Sequence, residues 1–88
     1  KGLAIDRQLA RLRPDDPVVF YNLACSHSLL RQMDEAFDAI RTAIALGYDD
    51  FTYMEQDQDL KNLFRDSRFR EYLSDLKNRR ASVQQHGA

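Results

Sequence analysis

The chain has 88 residues, a formal net charge of −1 at pH 7, and 43% hydrophobic and 31% charged residues. That length holds one domain at most, with a modest core. The near-neutral balance gives no global pull towards nucleic acid or an anionic membrane, and no apolar run approaches the roughly 18 residues a membrane span needs.

Three glycines and two prolines leave few breaks. This favours helices with short connections over a many-stranded β architecture. The single cysteine, Cys25, excludes an intrachain disulfide and a cysteine-based metal cage. It fits a reducing compartment, so a cytoplasmic location is expected. No signal peptide is visible, and the chain opens on Lys1 without an initiator Met, as a segment of a longer protein would.

In chain order, Ile5, Leu9 and Leu12 recur at steps of four and three and predict a helical stripe over Leu3 to Leu12. Pro14 ends that helix, because it lacks an N–H and disfavours helical geometry before it. Asp16 is a predicted N-cap and Pro17 suits the first helical position. Phe20, Leu23, Ala24, His27 and Leu30 form the stripe that follows. Arg31-Gln32-Met33 reads as a turn. Asp34 and Glu35 then lie in the first turn of a helix whose apolar face is Ala36, Phe37, Ile40, Ala43 and Ile44. Gly47 is a natural closing residue for it. The stretch Phe20 to Leu46 therefore reads as two amphipathic helices, antiparallel because so few residues join them.

From Tyr48 to Asp59 the pattern loosens into a connection with about one helical turn. Asp57 is a predicted cap for a short helix bearing Leu60, Leu63 and Phe64. Asp66 or Ser67 caps a last one with Phe69, Tyr72, Leu73 and Leu76 as its stripe. Arg79 and Arg80 would complement its C-terminal dipole, and the segment from Ser82 to Ala88 is expected to fray.

The central stretch resembles the tetratricopeptide repeat, a helix–turn–helix unit of about 34 residues with a Trp-x2-Leu-Gly-x2-Tyr, Ala-x3-Phe, Pro pattern. Here the series runs Phe20-x2-Leu23-Ala24-x2-His27, Ala36-x3-Ile40, Ala43, Tyr48. His27 stands for the usual Tyr, Tyr48 for Pro, and Arg31 where the turn usually has Gly. Pro14 lies 34 residues before Tyr48, as the closing proline of a preceding repeat would. QDLKNLFRDSRFREYL is similar to the closing segment that follows a last repeat. The resemblance implies an all-α, solenoid-like domain over residues 1–81: the second helix of a partial repeat (1–13), one complete repeat (16–47), C-terminal capping helices (57–81) and a flexible tail (82–88).

The resemblance further implies a protein–protein interaction module that binds a peptide along the first helix of its hairpin, with no catalysis. That face would carry Tyr21, Asn22, Cys25, Ser28 and Leu29, with Asn22 at a position that often bonds a peptide backbone in the family. Pro17 to Leu30 holds no Lys or Arg, which argues against a carboxylate clamp. A monomer is expected, with the open half of the truncated repeat at Leu3 to Leu12 as a place where a second copy could stack.

Other chemistries find little footing. His27 lies on the packed stripe and reads as a satisfied core histidine. His86 has no histidine or carboxylate at metal-ligand spacing, so no metal is expected. The pairs Asp15-Asp16, Asp34-Glu35 and Asp49-Asp50 each stand at a predicted helix start, where capping explains them without acid–base catalysis. No glycine-rich phosphate loop is present, and no cofactor is expected. Asp49 to Asp59 holds five acids and no base, whereas Lys61 to Arg80 holds seven bases against three acids. A solvated last helix explains the latter, with an RNA-binding face as the sharper alternative. A regulatory or substrate-presenting part of a larger enzyme is a further reading.

Overall fold

A computed structural model describes residues 2–86, with side-chain surroundings for residues 2–79. The chain is all-α: the described residues form six α-helices and one 3₁₀ turn, and no strand. The helices are α1 (Leu3–Leu12), α2 (Pro17–Leu29), α3 (Met33–Ala45), α4 (Phe51–Gln56), α5 (Lys61–Phe64) and α6 (Ser67–His86), with the 3₁₀ turn at Gln58–Leu60. No described helix is long and apolar enough to cross a membrane.

The boundaries follow local chemistry. Asp16 accepts from the Val18 N–H at 3.0 Å and the Val19 N–H at 3.4 Å, which opens α2 with Pro17 in its first turn. Asp50 caps α4 through the Tyr53 N–H, Asp57 caps the 3₁₀ turn through the Asp59 N–H, and Asp66 accepts from the Arg68 N–H. Both ends of the α2–α3 hairpin close in the same way. At the end of α2 the Gln32 N–H donates to the His27 carbonyl and the Arg31 N–H to the Ser28 carbonyl. At the end of α3 the Tyr48 N–H donates to the Ala43 carbonyl and the Gly47 N–H to the Ile44 carbonyl. These are Schellman closures, which need a left-handed residue after the helix. Gly47 (φ 114°) fills that role in one and Arg31 (φ 60°) in the other.

A 34-residue spacing runs through these boundaries. The caps Asp16 and Asp50, the helix starts Pro17 and Phe51, and the helix starts Met33 and Ser67 each stand 34 residues apart. The segment α4–3₁₀–α5 thus falls where a second copy of α2 would, broken into three pieces.

The core lies where α2 and α3 meet that segment. Ala24, Ala36 and Ala43 are fully buried, and their small side chains let the helices approach. Ile40, Met54, Leu60, Leu63 and Phe69 fill the space between them, and Leu73 closes it from α6. Phe37 and Ile44, expected on the apolar face of α3, are half-buried against this cluster.

Three expectations are corrected. The α1 stripe does not face inward: Ile5 is 60% and Leu12 69% exposed, while Asp6 is buried. The inward side of α1 is centred on Asp6, which bonds α2, with Leu3, Leu9 and Ala10 half-buried beside it, so the helix is turned away from that stripe. Asp6 can be buried there because the Ser26 hydroxyl donates to its carboxylate. Second, α2 is not amphipathic. Val19, Tyr21, Ala24, Cys25, Ser26, His27 and Ser28 are buried and spread around most of its circumference. Leu30, predicted on its stripe, lies past the helix end and is 56% exposed. Third, α6 does not stop near Leu76 but continues to His86, over a run of Ala, Ser, Val and Gln that contains no Gly or Pro. Arg79 and Arg80 therefore lie inside the helix, not in its last turn. Lys1, Gly87, Ala88 and the side chains of residues 80–86 lie outside the described residues, so of the expected flexible tail (82–88) only the helical backbone up to His86 is described.

Candidate functional site

The structure divides the five residues expected to line a peptide-binding face. Asn22 and Leu29 are exposed, but Tyr21, Cys25 and Ser28 are buried. The cover comes from the same chain. Tyr21 Oη donates to Asp57 Oδ2 at 2.6 Å, Cys25 Sγ lies 3.9 Å from the same oxygen, and Asn62 Nδ2 donates to the Ser28 carbonyl at 2.9 Å. The 3₁₀ turn and α5 thus occupy the flank of α2 that was expected to be open. The five residues do not form one free face.

What stays open is narrower. On a helix, Val18, Asn22 and Leu29 stand four and eleven residues along one face. Val18 is 54% and Leu29 57% exposed, with exposed Asn22 between them. One edge of this strip is α1, which reaches α2 through Asp6 and Ser26. The other edge is the Asp57 turn, reached through Tyr21 and Cys25. Val18 was not among the predicted residues. Its sequence neighbour Val19 is buried, and hydropathy alone does not separate the two.

The Asp57 edge is an organised cluster. Tyr21 stacks on Tyr48 with ring centroids 4.4 Å apart and planes within 11°, and Tyr53 lies 6.2 Å from Tyr21. Burial and the bond to Asp57 both push the Tyr21 phenol well above the usual tyrosine range. Burial also raises Tyr48. Asp57 accepts from the Tyr21 hydroxyl, the Cys25 thiol and the Asp59 N–H. Ligand atoms of Cys25, Asp57 and Asp59 all lie within 4.8 Å of one another. The capping and tyrosine bonds account for that proximity without an ion.

The remaining candidates are structural. His27 is buried, with Nδ1 2.8 Å from Gln32 Oε1, a polar bond across the α2–α3 turn. In the basic C-terminal region Arg68 pairs with Asp34 at 2.9 Å and Asp66 at 2.8 Å, Arg70 donates to the Phe64 carbonyl, and Lys77 pairs with Glu55. These contacts tie α6 to α3, α4 and α5. A cleft of about 460 Å³ lies between α4, α5 and α6, floored by Phe64 and Leu73 and rimmed by Glu55, Arg70 and Lys77.

Fold and site together define an all-α chain of packed helices with a narrow exposed strip on its central helix. Among curated proteins it is similar to a chloroplastic protein of Arabidopsis thaliana, with 39% identity over 46 residues. That match covers 52% of this chain and 14% of the other protein, so the chain spans a small part of the length of the relative it matches. No protein-family model matches the chain. No solved structure matches it.

Proposed function

We propose that the chain is a protein–protein interaction module of tetratricopeptide-like build, with no catalysis of its own. Its binding element is the strip Val18, Asn22 and Leu29 on α2. The observation that carries this reading is the exposure of two large apolar side chains and an amide on a helix otherwise buried nearly all round. The 34-residue spacing of caps and helix starts supports the repeat assignment, with α2–α3 as the complete unit and α4 to α6 as its altered successor. The strip suits an extended segment that lays apolar side chains on Val18 and Leu29 and offers backbone groups to the Asn22 amide.

The test is a cross-linking pull-down with the full-length protein, comparing wild type with Asn22→Ala plus Leu29→Ala. Both positions are exposed, so far-UV circular dichroism should be unchanged. A partner captured by wild type and lost by the double variant supports the module. A capture profile that does not differ between the two sinks it. The chain's small share of its relative's length favours one second reading, a regulatory segment of a larger protein. The relative's name places that protein in the chloroplast, and a fluorescent fusion of the full-length protein distinguishes plastid from cytoplasm.

A further inference from the structure

We propose that the outer face of α1 is a second docking surface, which receives an amphipathic helix of a partner protein with acidic side chains along one edge; this does not depend on the α2 strip. The residues of α1 that stay exposed are Ala4, Ile5, Arg7, Gln8, Arg11 and Leu12. At about 3.6 residues per turn they form one continuous arc. Ile5 and Leu12 lie at one edge of it, Arg7 and Arg11 at the other, with Ala4 and Gln8 between. Ile5 and Leu12 are the most exposed large apolar side chains among the described residues. Rolling α1 to bury them would expose Asp6, which the Ser26 hydroxyl holds on the inner side.

The charges on this face have one sign. From Gly2 to Pro14 the only acid is Asp6, and it is buried. The helix that α1 packs on, α2, carries no Asp, Glu, Lys or Arg. Among the described residues neither Arg7 nor Arg11 has an ion pair through its guanidinium. The two stand one helical turn apart, so carboxylates at the same spacing on a facing helix meet both with charge-assisted bonds. The small side chain of Ala4 lets that helix approach until its apolar ridge reaches Ile5 and Leu12. A second copy of α1 in this place would set arginine against arginine. A membrane surface fits less well, because its hold scales with the apolar area buried and this edge offers two large side chains. Charge complementarity therefore selects an acidic amphipathic helix.

The experiment uses the 88-residue chain and three fluorescein-labelled peptides, read by fluorescence polarisation. Each peptide is a helix of about five turns with a leucine stripe, flanked by Glu, Gln or Lys. The Glu peptide should bind most tightly, and its affinity should fall as salt is raised from about 50 to about 300 mM. Arg7→Gln plus Arg11→Gln should weaken it by about tenfold, the scale of losing charge-assisted bonds. Ile5→Ala plus Leu12→Ala should weaken it by about tenfold or more, through lost apolar burial. All four positions are exposed, so far-UV circular dichroism should be unchanged. Equal binding of the Glu and Gln peptides, or binding indifferent to either α1 double variant, overturns the proposal. Binding lost only in Asn22→Ala plus Leu29→Ala puts the peptide on the α2 strip, which overturns the α1 surface and supports the module reading. No binding by the Glu peptide overturns the α1 surface alone, since the pull-down tests the α2 strip separately. A dimer in sedimentation that Ile5→Ala plus Leu12→Ala dissociates, or phosphatidylserine vesicles bound in preference to the Glu peptide, overturns it in favour of a second copy or a membrane.

Discussion

The hydroxyl of Tyr21 donates to the carboxylate of Asp57 across 2.6 Å of space and 36 residues of sequence. This bond ties the central helix to the 3₁₀ turn and closes the flank of α2. The phenol is buried and its raised pKa follows, largely from that burial and then from the bond. The neutral form is the one the fold holds. Its contribution to stability is full below the unfolded tyrosine pKa of about 10 and declines as pH rises above it, because the unfolded chain then releases a proton that the folded chain keeps. Tyr21→Phe should lower stability near pH 7 by about 1–3 kcal/mol, since Asp57 loses a donor. It should also flatten the loss of stability between about pH 9 and 11. Urea titrations followed by circular dichroism at neutral and alkaline pH check the pair of effects. An unchanged alkaline slope would show that Tyr48 or Tyr72, whose pKa values burial also raises, dominates there.

The two Schellman closures differ in the residue that takes the left-handed turn. Arg31 bears a side-chain penalty of about 1 kcal/mol there. Arg31→Gly removes it, at about 0.5 kcal/mol of added unfolded-chain entropy. A net gain of about 0.5 kcal/mol is expected. Gly47→Ala should go the other way by about 1–2 kcal/mol. An added Cβ at Gly47 meets nothing within 4 Å, so that loss would come from the backbone angle alone. Paired denaturation curves in urea, compared at their midpoints, decide both signs.

Asp6 and Ser26 bind α1 to α2 through a buried polar contact. Ser26→Ala leaves the carboxylate without that donor and should destabilise α1 by about 1–3 kcal/mol. Adding Asp6→Ala should restore part of the loss, because the orphaned group is gone. Hydrogen exchange of the α1 amides reads this locally, and equal protection in all variants would remove Asp6 as the anchor.

The core and the expected α1 stripe make opposite predictions for similar side chains. Ile40 is fully buried, so Ile40→Ala should cost about 2–5 kcal/mol. Ile5→Ala and Leu12→Ala act on exposed side chains and should each stay within about 0.5 kcal/mol. Thermal unfolding of the three variants tests the rotation of α1. A large loss at Leu12 would place that face against something.

Local chemistry alone determined most of the fold. Asp16, Asp50, Asp57 and Asp66 each announce a helix or turn start through the nearest N–H groups, and Gly47 announces an end, because caps act within about four residues. The period of Ala36, Ile40 and Ala43 places the inner face of α3, since one side of that helix meets the core and the other meets water. The tertiary structure alone decided the rest. Asp6 reads as a polar residue in α1, and only the Ser26 hydroxyl on the next helix lets it be buried. Tyr21, Cys25 and Ser28 look like a free face, because nothing in α2 reveals that residues 57–62 return to cover it. Burial depends on which elements meet in space, and the Tyr21–Asp57 bond, 36 residues long in sequence, lies beyond any helical period. The exposed strip Val18, Asn22 and Leu29 is what that meeting leaves uncovered.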